Sequence, residues 1–126
     1  MNNAYSAYKN NSVNFASKEQ LLLMLVEGAV KFAKIARQAI ADKNVPKAHE
    51  NIVKTQNIYY ELMVTLDVNQ GGDWARSLMA VYQFIIQRLM DANMKKDIDI
   101  MNEVIPLLED VKDTWEQAYR VSKGVK

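Results

Sequence analysis

The side chains that most often carry enzyme chemistry are scarce in this chain. It has no cysteine and a single histidine, His49, among 126 residues. Without cysteine there is no disulfide framework, thiolate zinc site, iron–sulfur cluster or cysteine nucleophile. Di-metal carboxylate sites in helical bundles need a Glu-x-x-His unit on each of two helices, which one histidine cannot supply. We therefore expect no catalytic residue, no metal site and no cofactor.

His49 is the one candidate for a phosphoryl carrier, because helical phosphotransfer domains use an exposed imidazole in that role. Such a histidine needs a small residue and a positive charge one turn away. The residues that follow His49 are Glu50, Asn51, Ile52 and Val53, which supply neither. Glycine-rich phosphate-binding loops and a nucleophile elbow are also missing from the sequence. The pattern favours an ordinary surface histidine.

Charge and hydropathy exclude two further classes of protein. Sixteen Lys and Arg residues against fifteen Asp and Glu residues give a formal net charge of +1, too balanced for general binding to phosphate backbones. The longest apolar run, Leu21 to Val26, is far shorter than the roughly 20 residues that span a bilayer. The N-terminus does not resemble a secretory signal. We expect a single-domain, cytoplasmic protein that neither binds nucleic acid nor inserts into a membrane.

The apolar residues recur at helical spacing, and the first two helices have clear start signals. Ser17 is a good N-cap, and Gln20 completes a capping box for a helix over Lys18 to Ala41. Pro46 suits the first turn of a second helix that runs to about Leu66, because a proline there loses no hydrogen bond.

Two more helices follow the Gly71-Gly72 pair, the clearest break in the sequence. The third is predicted from Asp73 to about Ala92. The fourth is predicted from an Asp97 N-cap to about Arg120, with a kink at Pro106. Short loops between long helices indicate an all-α, antiparallel up-down four-helix bundle over residues 18–122. Residues 1–17 form an N-terminal aromatic tail outside this domain.

Two of the helices carry more apolar surface than a bundle core can bury, since a core-facing stripe needs an arc of only about 100°. The third helix has a predicted core stripe of Trp74, Leu78, Val81, Ile85 and Leu89. Its additional apolar residues are Met79, Tyr82, Ile86 and Met90. The second helix has an additional stripe of Val53, Tyr60 and Val64. These extra stripes indicate either packing against two neighbouring helices or a groove that binds another protein.

The tail adds apolar anchors that could cover such a groove. Tyr5, Tyr8, Val13 and Phe15 lie in a polar stretch without a strong helical pattern. They fit a reversible cap over the groove, and they equally fit permanent packing on the bundle.

Short motifs, each weak alone, form a specific joint pattern from about Tyr5 to Tyr119. They are Tyr5-Ser-Ala-Tyr8 with Val13, Ala16-Ser17-Lys18-Glu19, Leu23-Met24-Leu25, Glu27-Gly28-Ala29, Leu62 to Asp67, Gly71-Gly72, Ala75, Leu78, Tyr82, Arg88-Leu89, Ala92-Asn93 and Asp113-Thr114-Trp115. This pattern resembles the bacterial flagellar export chaperones of the FliS family.

The resemblance implies a non-enzymatic, ATP-independent chaperone with a four-helix bundle. Its client would be the disordered C-terminal segment of flagellin, which it would keep from premature polymerisation. It would then deliver the client to the membrane protein that forms the flagellar export gate. The residues expected to bind the client are Tyr5, Tyr8, Val13, Val53, Tyr60, Val64, Met79, Tyr82, Ile86 and Met90. The alternative is a small signalling bundle that uses His49 or acts as a docking adaptor.

Overall fold

The computed structural model describes residues 17–124 as four α-helices and no strand. They are α1 (Lys18–Ala41), α2 (Val45–Thr65), α3 (Val68–Lys95) and α4 (Ile98–Ser122). The predicted all-α architecture is confirmed. Along this part of the chain, none of the helices is both long enough and apolar enough to cross a membrane.

The first two helices begin where their local capping chemistry predicts. Ser17 accepts a hydrogen bond from the Gln20 amide, and the Gln20 side chain accepts one from the Ser17 amide. This reciprocal pair satisfies two amides that the first turn would leave without partners. Asn44 caps α2 by accepting from the Lys47 amide, and Pro46 lies in the first turn.

The glycine pair lies inside α3 rather than before it. Asp67 is the N-cap and accepts hydrogen bonds from the Asn69 and Gln70 amides. The helix therefore begins at Val68, about one turn before the break at Gly72. Gly72 then leaves helical geometry at φ 62°, ψ −141°, after which the helix continues to Lys95. The helix α4 passes Pro106 as one uninterrupted element.

The helices form a ring in which each packs against two others. Both α1 and α3 contact α2 and α4, and short connections make neighbours antiparallel. The core lies between them, and its largest fully buried side chains include Tyr59, Tyr82, Leu89 and Met101.

The side of α3 that faces the core differs from the predicted one. Trp74 and Val81, predicted as core residues, are 53% and 39% exposed. Tyr82 and Ile86, predicted as surface residues, are only 1% and 7% exposed. The Tyr82 ring packs edge-on against Tyr59 of α2, with 5.5 Å between ring centroids, which turns the neighbouring Val81 outward. The prediction of a solvent-facing position is therefore wrong for Tyr82 and Ile86.

Candidate functional site

An apolar groove lies at the end of the bundle where α1 begins and α2 ends. It encloses about 560 Å³. We call it the leucine groove, after the residues that form its walls. They are Leu21, Leu22 and Leu25 of α1, Leu62, Thr65 and Leu66 of α2, Tyr82 of α3 and Trp115 of α4. Lys18, Glu19 and Glu61 line its rim. Apolar walls with charges at the edge suit the apolar side chains of an amphipathic peptide.

The polar atoms of Tyr82 and Trp115 at the groove wall form a neutral hydrogen bond. Trp115 donates its indole N–H to the Tyr82 hydroxyl at 2.9 Å. Burial raises the pKa of Tyr82 to about 12, although the bond from Trp115 opposes the shift. The phenol therefore remains uncharged at neutral pH, and a ligand meets no buried charge here.

At the rim, the pKa of the Glu19 carboxyl lies below its ordinary value. The main causes are a hydrogen bond from its own backbone amide and one from the Ser17 hydroxyl. Glu19 is therefore a negative charge at neutral pH, in the first turn of α1, where the helix dipole favours an acidic side chain.

A second surface lies along the contact between α2 and α3. We call it the α2–α3 face, and it includes Val53, Tyr60 and Met90. The His49 ring Nδ1 lies 3.0 Å from the Asn93 side-chain nitrogen, so the two helices face each other at this point. Val53 and Tyr60 follow His49 along its side of α2 at four and eleven residues. Met90 precedes Asn93 by three residues on the facing side of α3.

Most of the predicted residues on these helices reach the surface. Tyr60 and Met90 are 46% and 44% exposed, while Val53 and Met79 are half-buried. Val64 is 81% exposed and directly precedes Thr65, a wall residue of the leucine groove. Client contacts at these five residues remain predictions.

The other predicted residues have different outcomes. Ile86 is buried and does not reach the surface. Tyr82 is also buried in the core, but its side chain lines the leucine groove. Tyr5, Tyr8 and Val13 lie outside the described residues.

Among the groove walls, the sequence predicted only Tyr82 as a site residue. It missed Leu21, Leu22, Leu25, Leu62, Thr65, Leu66 and Trp115. One signal was available in α1, where Leu21–Val26 are six consecutive apolar residues. A helix with 3.6 residues per turn spreads such a run around its whole circumference, so the core cannot bury all of it. Trp115 carried no comparable signal, because its place depends on contacts with α3.

Three comparisons place the chain among known proteins. The family model described as flagellar protein FliS matches residues 1–122. The flagellar secretion chaperone FliS of Bacillus subtilis is 40% identical over 92% of this chain and 86% of its own length. The flagellar secretion chaperone FliS of Campylobacter jejuni is 33% identical over 94% of this chain and 92% of its own.

A solved structure gives the same fold. The crystal structure of a flagellar chaperone from bacteria superimposes with a TM-score of 0.74, covering 93% of this chain and 95% of that chain. Sequence identity is 16%, so this likeness concerns the fold alone.

Proposed function

The chain belongs to the FliS family of flagellar secretion chaperones, and on this premise we propose that it binds the C-terminal segment of flagellin. Family membership makes it a flagellar export chaperone and not an enzyme. The proposed complex keeps flagellin from polymerising too early and delivers it to the membrane protein of the export gate. Binding takes place in the cytoplasm, before export.

The leucine groove is the observation that carries this proposal. Polymerising helices have apolar faces, and an apolar groove that covers such a face blocks premature assembly. A disordered client loses conformational entropy when it binds, so it needs a large apolar contact to reach useful affinity. The groove supplies leucine walls, and the α2–α3 face extends the available surface along the bundle.

The proposal assigns client contacts to five residues of the α2–α3 face and the groove edge. They are Val53, Tyr60, Val64, Met79 and Met90. Tyr82 takes part through the groove wall, whereas buried Ile86 supports the fold. Tyr5, Tyr8 and Val13 cap the groove in the free chaperone and give way to the client.

Calorimetric titration with full-length flagellin and with flagellin that lacks its C-terminal segment tests the proposal. We expect a complex of about one to one with the full-length client and no detectable binding to the truncated one. Undiminished affinity for truncated flagellin would contradict the assignment.

Single substitutions locate the site within the same assay. Val64→Ser should weaken binding several-fold, while Met94→Ser, a change at a similarly exposed residue at the far end of α3, should not. His49→Ala should leave flagellin binding unchanged, whereas a signalling bundle that uses this imidazole would lose its activity.

A further inference from the structure

Helix α3 exposes a stripe of residues on the side that the proposed function does not use. Its members alternate at spacings of three and four residues: Trp74, Ser77, Val81, Phe84 and Arg88. We call them the heptad stripe. Its three large apolar members, Trp74, Val81 and Phe84, are 53%, 39% and 51% exposed. This spacing is the a/d repeat by which one helix receives the side chains of a second helix.

Two contacts show that the heptad stripe borders α4. The Arg88 guanidinium donates two hydrogen bonds to the Glu103 carboxylate, at 2.7 Å and 3.1 Å. At the other end, Trp74 packs edge-on against Trp115, with 5.7 Å between ring centroids. The α2–α3 face lies on the opposite side of α3. The Trp74 end of the stripe adjoins the leucine groove, because Trp115 is a groove wall, whereas Val81 and Phe84 lie farther along α3.

The α4 edge beside the stripe is defined by the same periodicity. Starting from Glu103, the residues on that side of the helix are Leu107, Asp110 and Thr114. Because the helices are antiparallel, these two contacts place Phe84 at the level of Leu107 and Val81 at the level of Asp110. Leu107 is half-buried and packs on the core.

This edge has a net negative charge. The helix α4 carries six carboxylate side chains and two basic ones, although the whole chain has a net charge of only +1. Glu103 is paired with Arg88, and Glu109 lies 3.3 Å from Lys34. Asp110 and Asp113 are exposed, and neither makes an ion pair within residues 17–124. An apolar stripe therefore runs beside uncompensated negative charge.

We propose that the heptad stripe and the acidic edge of α4 form a second docking surface, which binds an amphipathic helix of another protein. The partner helix has apolar residues at heptad spacing and lysine or arginine along one edge. Charge complementarity favours this partner over a second copy of the chain. In a two-fold symmetric dimer the same patch would face itself, which brings the two acidic edges together.

Two synthetic helical peptides with identical leucine heptads test the proposal, one with lysine and one with glutamate at the flanking positions. Tryptophan fluorescence reports binding, because half-exposed Trp74 should shift to shorter wavelength when it is covered. We expect micromolar affinity for the lysine peptide, about tenfold weaker binding of the glutamate peptide, and loss of that preference at high salt.

Matched variants show whether the stripe is the binding surface. Phe84→Ser should weaken binding of the lysine peptide about tenfold, and Met94→Ser should leave that affinity unchanged. Asp110→Asn combined with Asp113→Asn should reduce the preference for lysine over glutamate. Circular dichroism confirms that each variant is folded. Equal binding of both peptides, or binding that persists in Phe84→Ser, would overturn the proposal.

Further controls separate this surface from the flagellin site and from other occupants. Phe84→Ser should not change flagellin affinity; if it abolishes flagellin binding, the stripe belongs to the client site and the proposal is overturned. If no flagellin binds while the lysine peptide still requires Phe84, the proposed function fails and the docking surface stands. Two other results would also overturn the proposal. If the protein forms a dimer that Phe84→Ser dissociates, the stripe binds a second copy of the chain. If removal of residues 1–16 tightens peptide binding, the stripe binds the N-terminal segment.

Discussion

Two buried tyrosines, Tyr59 and Tyr82, differ in how their hydroxyl groups are satisfied. The Tyr82 hydroxyl accepts the Trp115 indole N–H, whereas the Tyr59 hydroxyl has no hydrogen-bond partner among residues 17–124. Burial raises the pKa of both phenols, so both are neutral at physiological pH. A buried polar atom without a partner costs stability, because it loses its bond to water.

We predict opposite effects from removing these two hydroxyls. Tyr59→Phe should raise the free energy of unfolding by about 1 kcal/mol, since it removes an unsatisfied polar group. Tyr82→Phe should lower it by about 1 kcal/mol, since it leaves the Trp115 N–H without its acceptor. Urea unfolding of the two variants provides the comparison. Destabilisation by Tyr59→Phe would mean that its hydroxyl forms a bond in solution.

The burial of Ile86 predicts that its substitution affects stability more than substitution of Met79, a half-buried residue two helical turns earlier on α3. Ile86→Ser removes packed apolar volume and buries a hydroxyl, which should cost about 3 kcal/mol of stability. Met79→Ser should cost about 1 kcal/mol or less and should weaken flagellin binding. Thermal unfolding and titration of both variants test this. Similar stability losses in the two would place Met79 in the core as well.

At the level of the helices, two glycines have opposite roles. Gly72 adopts φ 62°, a conformation that side-chain-bearing residues rarely take, although its surroundings are open. Gly28 lies in helical α1, where an added methyl would meet the Ile58 side chain at 3.6 Å, an ordinary contact. One glycine is needed for its backbone conformation, and the other is not.

We therefore predict that Gly72→Ala lowers the free energy of unfolding by about 1 to 2 kcal/mol, because of backbone strain. Gly28→Ala should raise it by about 0.5 to 1 kcal/mol, because alanine favours the helix. Denaturant unfolding of both variants distinguishes the two roles. A neutral Gly72→Ala variant would show that the break in α3 can form with another backbone geometry.

The helices show which features a sequence can predict. The start of α1 was predicted to the residue, because the Ser17 capping box depends only on neighbours in sequence. The side of α3 that faces the core was not, because an apolar arc from Trp74 to Met90 covers half of the helix. Its orientation depends on which side chains of α2 and α4 it meets, such as Tyr59 and Trp115.

The candidate site also has a part that could be predicted from one helix and a part that depends on contacts between helices. The outward positions of Tyr60, Val64 and Met90 could be predicted because they lie far from the core stripe on a helical wheel. The leucine groove could not, because its walls come from all four helices and exist only once the bundle has assembled. Surfaces on one helix are therefore visible in the sequence, whereas cavities between helices are not.

At the scale of the whole molecule, the bundle presents different surfaces on its different sides. The leucine groove has apolar walls with a neutral hydrogen bond between Tyr82 and Trp115, and the α2–α3 face exposes Tyr60 and Met90. The heptad stripe is bordered by the acidic edge of α4. If both proposals hold, flagellin on the leucine groove and the α2–α3 face would leave Val81 and Phe84 of the heptad stripe open to a second protein.

The start of α1 bears on the proposed competition between the N-terminal segment and the client. Lys18, the first residue of α1, lines the rim of the leucine groove. Sixteen residues reach at most about 55 Å when fully extended, enough to cover the groove. If Tyr5, Tyr8 and Val13 occupy the groove in the free protein, the apparent client affinity is reduced to the uncapped fraction of molecules.

Removing residues 1–13 should therefore have two effects. Flagellin should bind more tightly, because no capped state remains, and the free protein should self-associate, because its apolar groove is exposed. Two tyrosines spaced three residues apart suit this reversible role, since their rings can dock while their hydroxyls stay in water. Titration and sedimentation of the shortened chain measure both effects. Weaker binding by an unchanged monomer would mean that the segment contacts the client directly, which contradicts the cap.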